Sequence, residues 1–192
     1  TYVPRQLVRR LMDRDAPVQS EQKTVTVMFT DIAGFSTLSE QMPASETAEM
    51  LNHYFSILVA CIEAEDGTVD KYIEDSVMAF WEPDAAGDNV DRALQAARQI
   101  RTQVTQDNER RRRDGRVAPA VTVGIHTAPA LVGNIGAPGR VNYTLVGDTV
   151  NVAARLEQLS KDIAPDGDTR VLVSADTVAL TADKAGLQHV GR

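Results

Sequence analysis

The chain has one cysteine, Cys61, few aromatic residues, and no apolar run of membrane-spanning length. A single thiol excludes an internal disulfide and any thiolate metal cage, and it fits a reducing compartment. Cys61 itself reads as a packing residue. A spanning helix needs roughly 18 or more consecutive apolar residues. None occurs, so the expectation is a cytoplasmic protein or the cytosolic domain of a membrane protein. The opening TYVPRQLVRRLMDRD carries charges where a secretory signal has its apolar core. Positive charge is also scarce: 20 Lys and Arg against 27 Asp and Glu leave a net −7, which argues against a nucleic-acid partner. One basic block, ERRRRDGR at 109–116, runs the other way. It reads as the end of a helix whose dipole the arginines complement.

What is present suits one domain, since 192 residues fall within the ~100–200 typical of one. Leu7, Val8, Leu11 and Met12 share a helical face, and a polar stretch follows. Residues 1–22 therefore read as an N-terminal helix and linker, and 23–192 as the domain. KTVTVMFT predicts a buried strand over 23–30 that ends at Asp31, followed by a loop, IAGFSTLSEQMP. The next helix reaches about Ala64, with Met50, Leu51, Tyr54, Phe55, Leu58, Val59 and Ile62 at three-and-four spacing. GTVDKYI and SVMAFW are separated only by Glu74 and Asp75, the spacing of a hairpin. A long helix follows over 87–113 and stops at Asp114-Gly115. Then come the strand VAPAVTVGIHT, the run APALVGNIG, a Gly/Pro loop and the run VNYTLVG. A helix, DTVNVAARLEQLSK, is expected to be capped by Asp148. TRVLVSADTVALTA reads as strand then helix, and LQHV as a last short strand. The order β-α-β-β-α-β with added elements predicts an α+β fold: a ferredoxin-like core with its helices on one face of a mostly antiparallel sheet.

Asp31 stands at a strand end and Asp75 in a hairpin turn that neighbours that strand in such a sheet. Two converging carboxylates repel unless a divalent cation joins them, and Mg²⁺ takes carboxylates together with substrate phosphate oxygens. The loop after Asp31 adds backbone N–H groups and a small Gly34 that phosphate oxygens can approach. Loop aspartates are equally ordinary turn residues with no site at all.

FTDIAGFS at 29–36, DKYIEDSVMAFW at 70–81 and NYTLVGDTVNVAARLE at 142–157 resemble the three diagnostic blocks of class III adenylyl and guanylyl cyclases, in order, within a similarity over roughly residues 23 to 190. The resemblance implies the nucleotide cyclase fold, with Asp31, Asp75 and the backbone carbonyl of Ile32 holding two divalent metal ions per site, Mg²⁺ or Mn²⁺. It implies that Lys71 and Thr144 read the base, that Gly34 and Phe35 lie against the substrate, and that Asn151 and Arg155 orient the ribose and stabilise the transition state. Lysine at position 71 is the family's choice for adenine. A lysine donates to N1 while a threonine hydroxyl accepts from N6, and guanine presents the opposite pattern. The family splits these groups between two subunits, so the resemblance implies a head-to-tail homodimer that converts ATP to cyclic AMP and pyrophosphate. An upstream regulatory or membrane domain is expected in a longer protein.

Two positions depart from the family pattern. Glu74 stands where a glycine is usual, at a turn that needs a positive φ. The chain also stops at Arg192, before a further basic phosphate contact that the family often supplies, so a truncated fragment is expected. The rival readings are a guanylyl cyclase of the same fold, which would need a glutamate near Lys71, and a non-catalytic nucleotide-binding or dimerisation module. A nucleic-acid-binding ferredoxin-like domain would want exposed sheet aromatics and positive charge, and neither is evident.

Overall fold

Alternation in the first strand, β1 (Glu21–Ile32), sends Val25, Val27 and Phe29 to one side and Met28 and Ile32 to the other, all buried. A strand buried on both faces belongs in the middle of a sheet, and β1 sits there. The computed structural model describes residues 20–137, 140–164 and 166–190. The helix expected at 4–14 lies outside them. The remaining elements are α1 (Phe35–Gln41), α2 (Ala44–Ala64), β2 (Thr68–Ile73), β3 (Ser76–Trp81), α3 (Asn89–Arg113), β4 (Val121–Ala137), β5 (Arg140–Val146), α4 (Asp148–Ile163), β6 (Thr169–Val173) and α5 (Ala175–Leu180).

The sheet runs β2-β3-β1-β4-β5, with β6 also on β4. Every pairing is antiparallel except β4 with β6. The ferredoxin-like core is therefore present as expected. One face is covered by α2 and α3, whose Tyr54, Leu58, Ile62, Leu94, Ile100 and Val104 pack with Met28, Ile32, Val77, Trp81 and Ile125. The added helix α4 covers the opposite face, where Ala153 joins Val25, Val27, Phe29, Met78 and Phe80. Gly124 allows this, because a Cβ there would stand 2.2 Å from the Glu157 nitrogen and 2.3 Å from the Ala153 carbonyl oxygen.

Four local expectations need correction. The loop after Asp31 contains α1, because Phe35, Leu38 and Met42 recur at three-and-four spacing and pack against the core. The two apolar runs from 117 onward merge into one strand that starts at Val121. Asp148 is not the cap of α4: Gly147 holds that position without a side-chain hydrogen bond, and Asp148 is the first helical residue. Leu187–Val190 forms no strand. The hairpin turn is as expected, with Ile73 opposite Ser76 and Glu74 at φ 53°. Among the described residues, no helix is long and apolar enough to cross a membrane.

Gly124→Ala sets a methyl group against backbone that cannot rotate away, so it should cost on the order of 1–3 kcal/mol, read as a lower urea midpoint at constant slope. Glu74→Gly should leave that midpoint unchanged or raise it, with a gain in stability of up to about 1 kcal/mol, because it relieves a left-handed residue.

Candidate active site

β1 delivers Asp31 opposite Thr122 of β4, at the end of the sheet where the β2–β3 turn presents Asp75. The Ser76 hydroxyl donates to Asp31 Oδ1 at 2.8 Å, which ties the turn to the strand. Asp75 is pushed up to about 6 by burial, then by the hydrogen bond and negative charge of Asp31; its own N–H and that of Ile32 pull the other way. The structure thus brings Asp31, Asp75 and the Ile32 backbone together, as the sequence pattern implied.

A cation of the chain's own also stands there. Lys161 donates to Asp31 Oδ2 at 2.7 Å and lies 3.3 Å from Glu157 one turn back on α4. Burial disfavours its charge, but Asp31 and Glu157 outweigh that and hold its pKa above the usual lysine value. Glu157, almost buried, also accepts from Thr122 Oγ1 at 2.5 Å. Among the described residues, no group of three or more His, Cys, Asp and Glu is placed to hold a metal. The donors here are two carboxylates and nearby backbone, an oxygen set suited to a hard cation that completes its shell with water or phosphate.

Gly34 begins α1 at φ 74°, and a Cβ there would meet nothing within 4 Å, so its requirement is conformational. The Phe35 ring packs against the core, which leaves its backbone for any contact with a ligand.

The second group lies elsewhere on the sheet. Lys71, on β2, is half exposed and points its ammonium at Asp70 Oδ2, 3.1 Å away. Thr144, on β5 opposite Gly133, is nearly buried and donates to the same oxygen at 3.0 Å. The two expected base-reading residues therefore meet on one carboxylate, whose side chain is 2% exposed.

Asn151 and Arg155 lie on the exposed side of α4, and the Asn151 amide donates to Asp148 at 3.4 Å. At 100° per residue, Arg155 is about 200° round the helix from Glu157. The helix therefore turns this pair away from the side that meets Asp31. Sequence reasoning missed Asp70, Ser76, Glu157 and Lys161. The four-residue spacing of Glu157 and Lys161 is an ion-pair signal; Ser76 offered none, and Asp70 only its place next to Lys71.

With this geometry in view, comparisons place the chain. Residues 18–191 match the family described as the adenylate and guanylate cyclase catalytic domain. "Adenylate cyclase 1" of Rhizobium meliloti is 36% identical over 193 residues, covering 99% of this chain and 28% of that protein. The adenylate cyclase of Anabaena cylindrica is 34% identical over 143 residues, covering 72% and 28%. The chain thus spans well under a third of these relatives' length. Among solved structures, the adenylyl cyclase CyaB from P. aeruginosa superposes with a TM-score of 0.75 at 31% identity, covering 84% of this chain and 82% of that one. A bacterial light-regulated adenylyl cyclase gives 0.81 at 27% identity, covering 95% and 53%. The match along nearly the whole sequence and the fold agree, and the chain belongs to the family of adenylate and guanylate cyclase catalytic domains.

Proposed function

We propose that this domain is an adenylyl cyclase that converts ATP to 3′,5′-cyclic AMP and pyrophosphate at sites shared by two copies of the chain. The observation that carries the reading is the pairing of Lys71 and Thr144, one donor and one hydroxyl oxygen side by side. Adenine offers an acceptor at N1 and a donor at N6, the complement of that pair. Guanine offers the reverse at those positions and would leave polar groups unpaired.

Asp31 and Asp75, with the Ile32 backbone beside them, would hold the divalent ions, Mg²⁺ or Mn²⁺. The fit rests on their closeness: burial first, and then the hydrogen bond and negative charge of Asp31, lift Asp75 to about 6, a cost that a proton, a lysine or a metal ion relieves. When bound, such ions neutralise the triphosphate and favour ionisation of the ribose 3′-hydroxyl. In the reaction the 3′-hydroxyl gives up its proton to solvent, its oxygen bonds to the α-phosphorus as the bond to the β-phosphate oxygen breaks, and pyrophosphate leaves. Asn151 orients the ribose, and Arg155 meets the charge that develops on the phosphates. Lys71 and Thr144 hold the purine so that the 3′-oxygen and the phosphorus stay aligned.

The direction in which α4 points these groups supports the dimer. Arg155 faces away from the side of the helix that contacts Asp31 in its own chain, which supports its service to a second copy in a head-to-tail homodimer. The greater length of the relatives supports a further regulatory or membrane domain in the whole protein.

The decisive assay supplies ATP or GTP with either metal and measures cyclic nucleotide and pyrophosphate. ATP should give both products in equal amounts. Retained nucleotide binding with no turnover would identify a non-catalytic module, and a preference for GTP a guanylyl cyclase. Mn²⁺ should raise the melting temperature of the wild-type chain and leave that of Asp31→Asn unchanged. Asp31→Ala and Arg155→Ala should each lose about 10²–10³-fold in turnover. Mixed in equal amounts, they should recover about a quarter of wild-type activity, because half the dimers carry one intact site. A mixture no more active than its components would sink the shared site.

A further inference from the structure

Asp70 is the residue at which the β2–β3 ladder slips. Val69 faces Ala79 and Lys71 faces Met78, which leaves Asp70 without a partner in register. A bulge of this kind re-aims a side chain, and this one sends the Asp70 carboxylate inward, where its side chain is 2% exposed. One of its oxygens, Oδ2, accepts from the Thr144 hydroxyl at 3.0 Å and forms an ion pair with the Lys71 ammonium 3.1 Å away.

A hydroxyl has one hydrogen and two lone pairs, whereas a carboxylate only accepts. Thr144 therefore spends its hydrogen on Asp70, and what it shows to a neighbouring base is an oxygen that accepts. Lys71, held by the same carboxylate, keeps further N–H groups to donate. Without Asp70 the threonine rotor is free, and its oxygen serves an amino group or its hydrogen a carbonyl with equal ease. We propose that Asp70 is a specificity-determining positioning residue: by fixing the Thr144 hydroxyl as an acceptor, it selects 6-aminopurine over 6-oxopurine nucleoside triphosphates. The proposal rests on the cyclase reading above, in which Lys71 and Thr144 face the base.

The test is kcat/KM for ATP and for inosine triphosphate, a 6-oxopurine without the 2-amino group, on the full chain. In Asp70→Ala the acceptor is gone, which frees the hydroxyl hydrogen for a 6-carbonyl. The ATP-to-ITP ratio should fall about tenfold or more, as expected when a site loses its match to one hydrogen-bonding group. Asp70→Asn, whose amide oxygen the Lys71 ammonium turns toward Thr144, should keep the ratio close to that of the wild type. A merely structural role would reduce both substrates in parallel, and an unchanged ratio in folded Asp70→Ala would overturn the proposal. Thr144→Val, which leaves the Asp70–Lys71 pair in place, should lower the ratio as far, and Asp70→Ala added to it should change nothing more. Thr144→Ser, which keeps the hydroxyl, should retain the wild-type ratio. A wild-type ratio in Thr144→Val overturns the proposal even if no Asp70 variant folds. A wild-type chain that turns over neither nucleotide defeats the cyclase reading instead, whereas normal ATP turnover with an unmoved ratio defeats only the role of Asp70.

Discussion

The arrangement depends on β1 being hydrogen-bonded along both edges and covered on both faces. β3 and β4 flank it in continuous register, and separate apolar clusters close over its two sides. A strand held in this way has little freedom to shift, because a slip of one residue would turn every buried side chain toward the wrong cluster. That rigidity is handed directly to Asp31, the penultimate residue of the strand. The β2–β3 hairpin inherits it through β3, so Asp75 arrives beside Asp31 by the same constraint.

Two carboxylates at the end of a buried strand are costly unless something offsets their charge. The hydroxyl of Ser76, the N–H of Ile32 and the ammonium of Lys161 do so from three directions. Lys71 and Thr144 follow a similar economy, since a single buried oxygen of Asp70 serves both. Each half of the site is thus organised around a carboxylate before any ligand is considered. This is the preorganisation expected of a site that must present fixed charges and dipoles.

Most of the fold could be read from period and punctuation. The alternation in β1, the two-residue gap between β2 and β3, and the apolar stripes of α2 and α3 are local signals, and the elements stand where those signals put them. The misreadings arose where tertiary context decides. The segment after Asp31 has only three apolar residues at helical spacing, too short a stripe to announce a helix by itself, and their packing reveals α1. Asp148 has the chemistry of a cap, but Gly147 takes that position. LQHV reads as a last short strand, yet its apolar residues do not alternate and it joins no sheet among the described residues. At the site, the family blocks named the residues that would meet a ligand. They could not name Asp70, Glu157 and Lys161, because what those residues do depends on which strand or helix lies across from them. The bulge at Asp70 is a matter of register, which no single segment encodes.

Lys161 has a consequence for the life of the chain before it meets a substrate. Many small metal-binding domains fold only when the ion arrives, because the site does not exist in the unfolded chain and ion binding supplies the folding free energy. Here a lysine on α4 already sits against Asp31, bridging to Glu157 of the same helix. The charge at the end of β1 is thereby answered from within the chain, and the same lysine ties α4 to the strand that carries Asp31. On the reading proposed above, an ion that binds Asp31 would have a resident to displace rather than a scaffold to assemble.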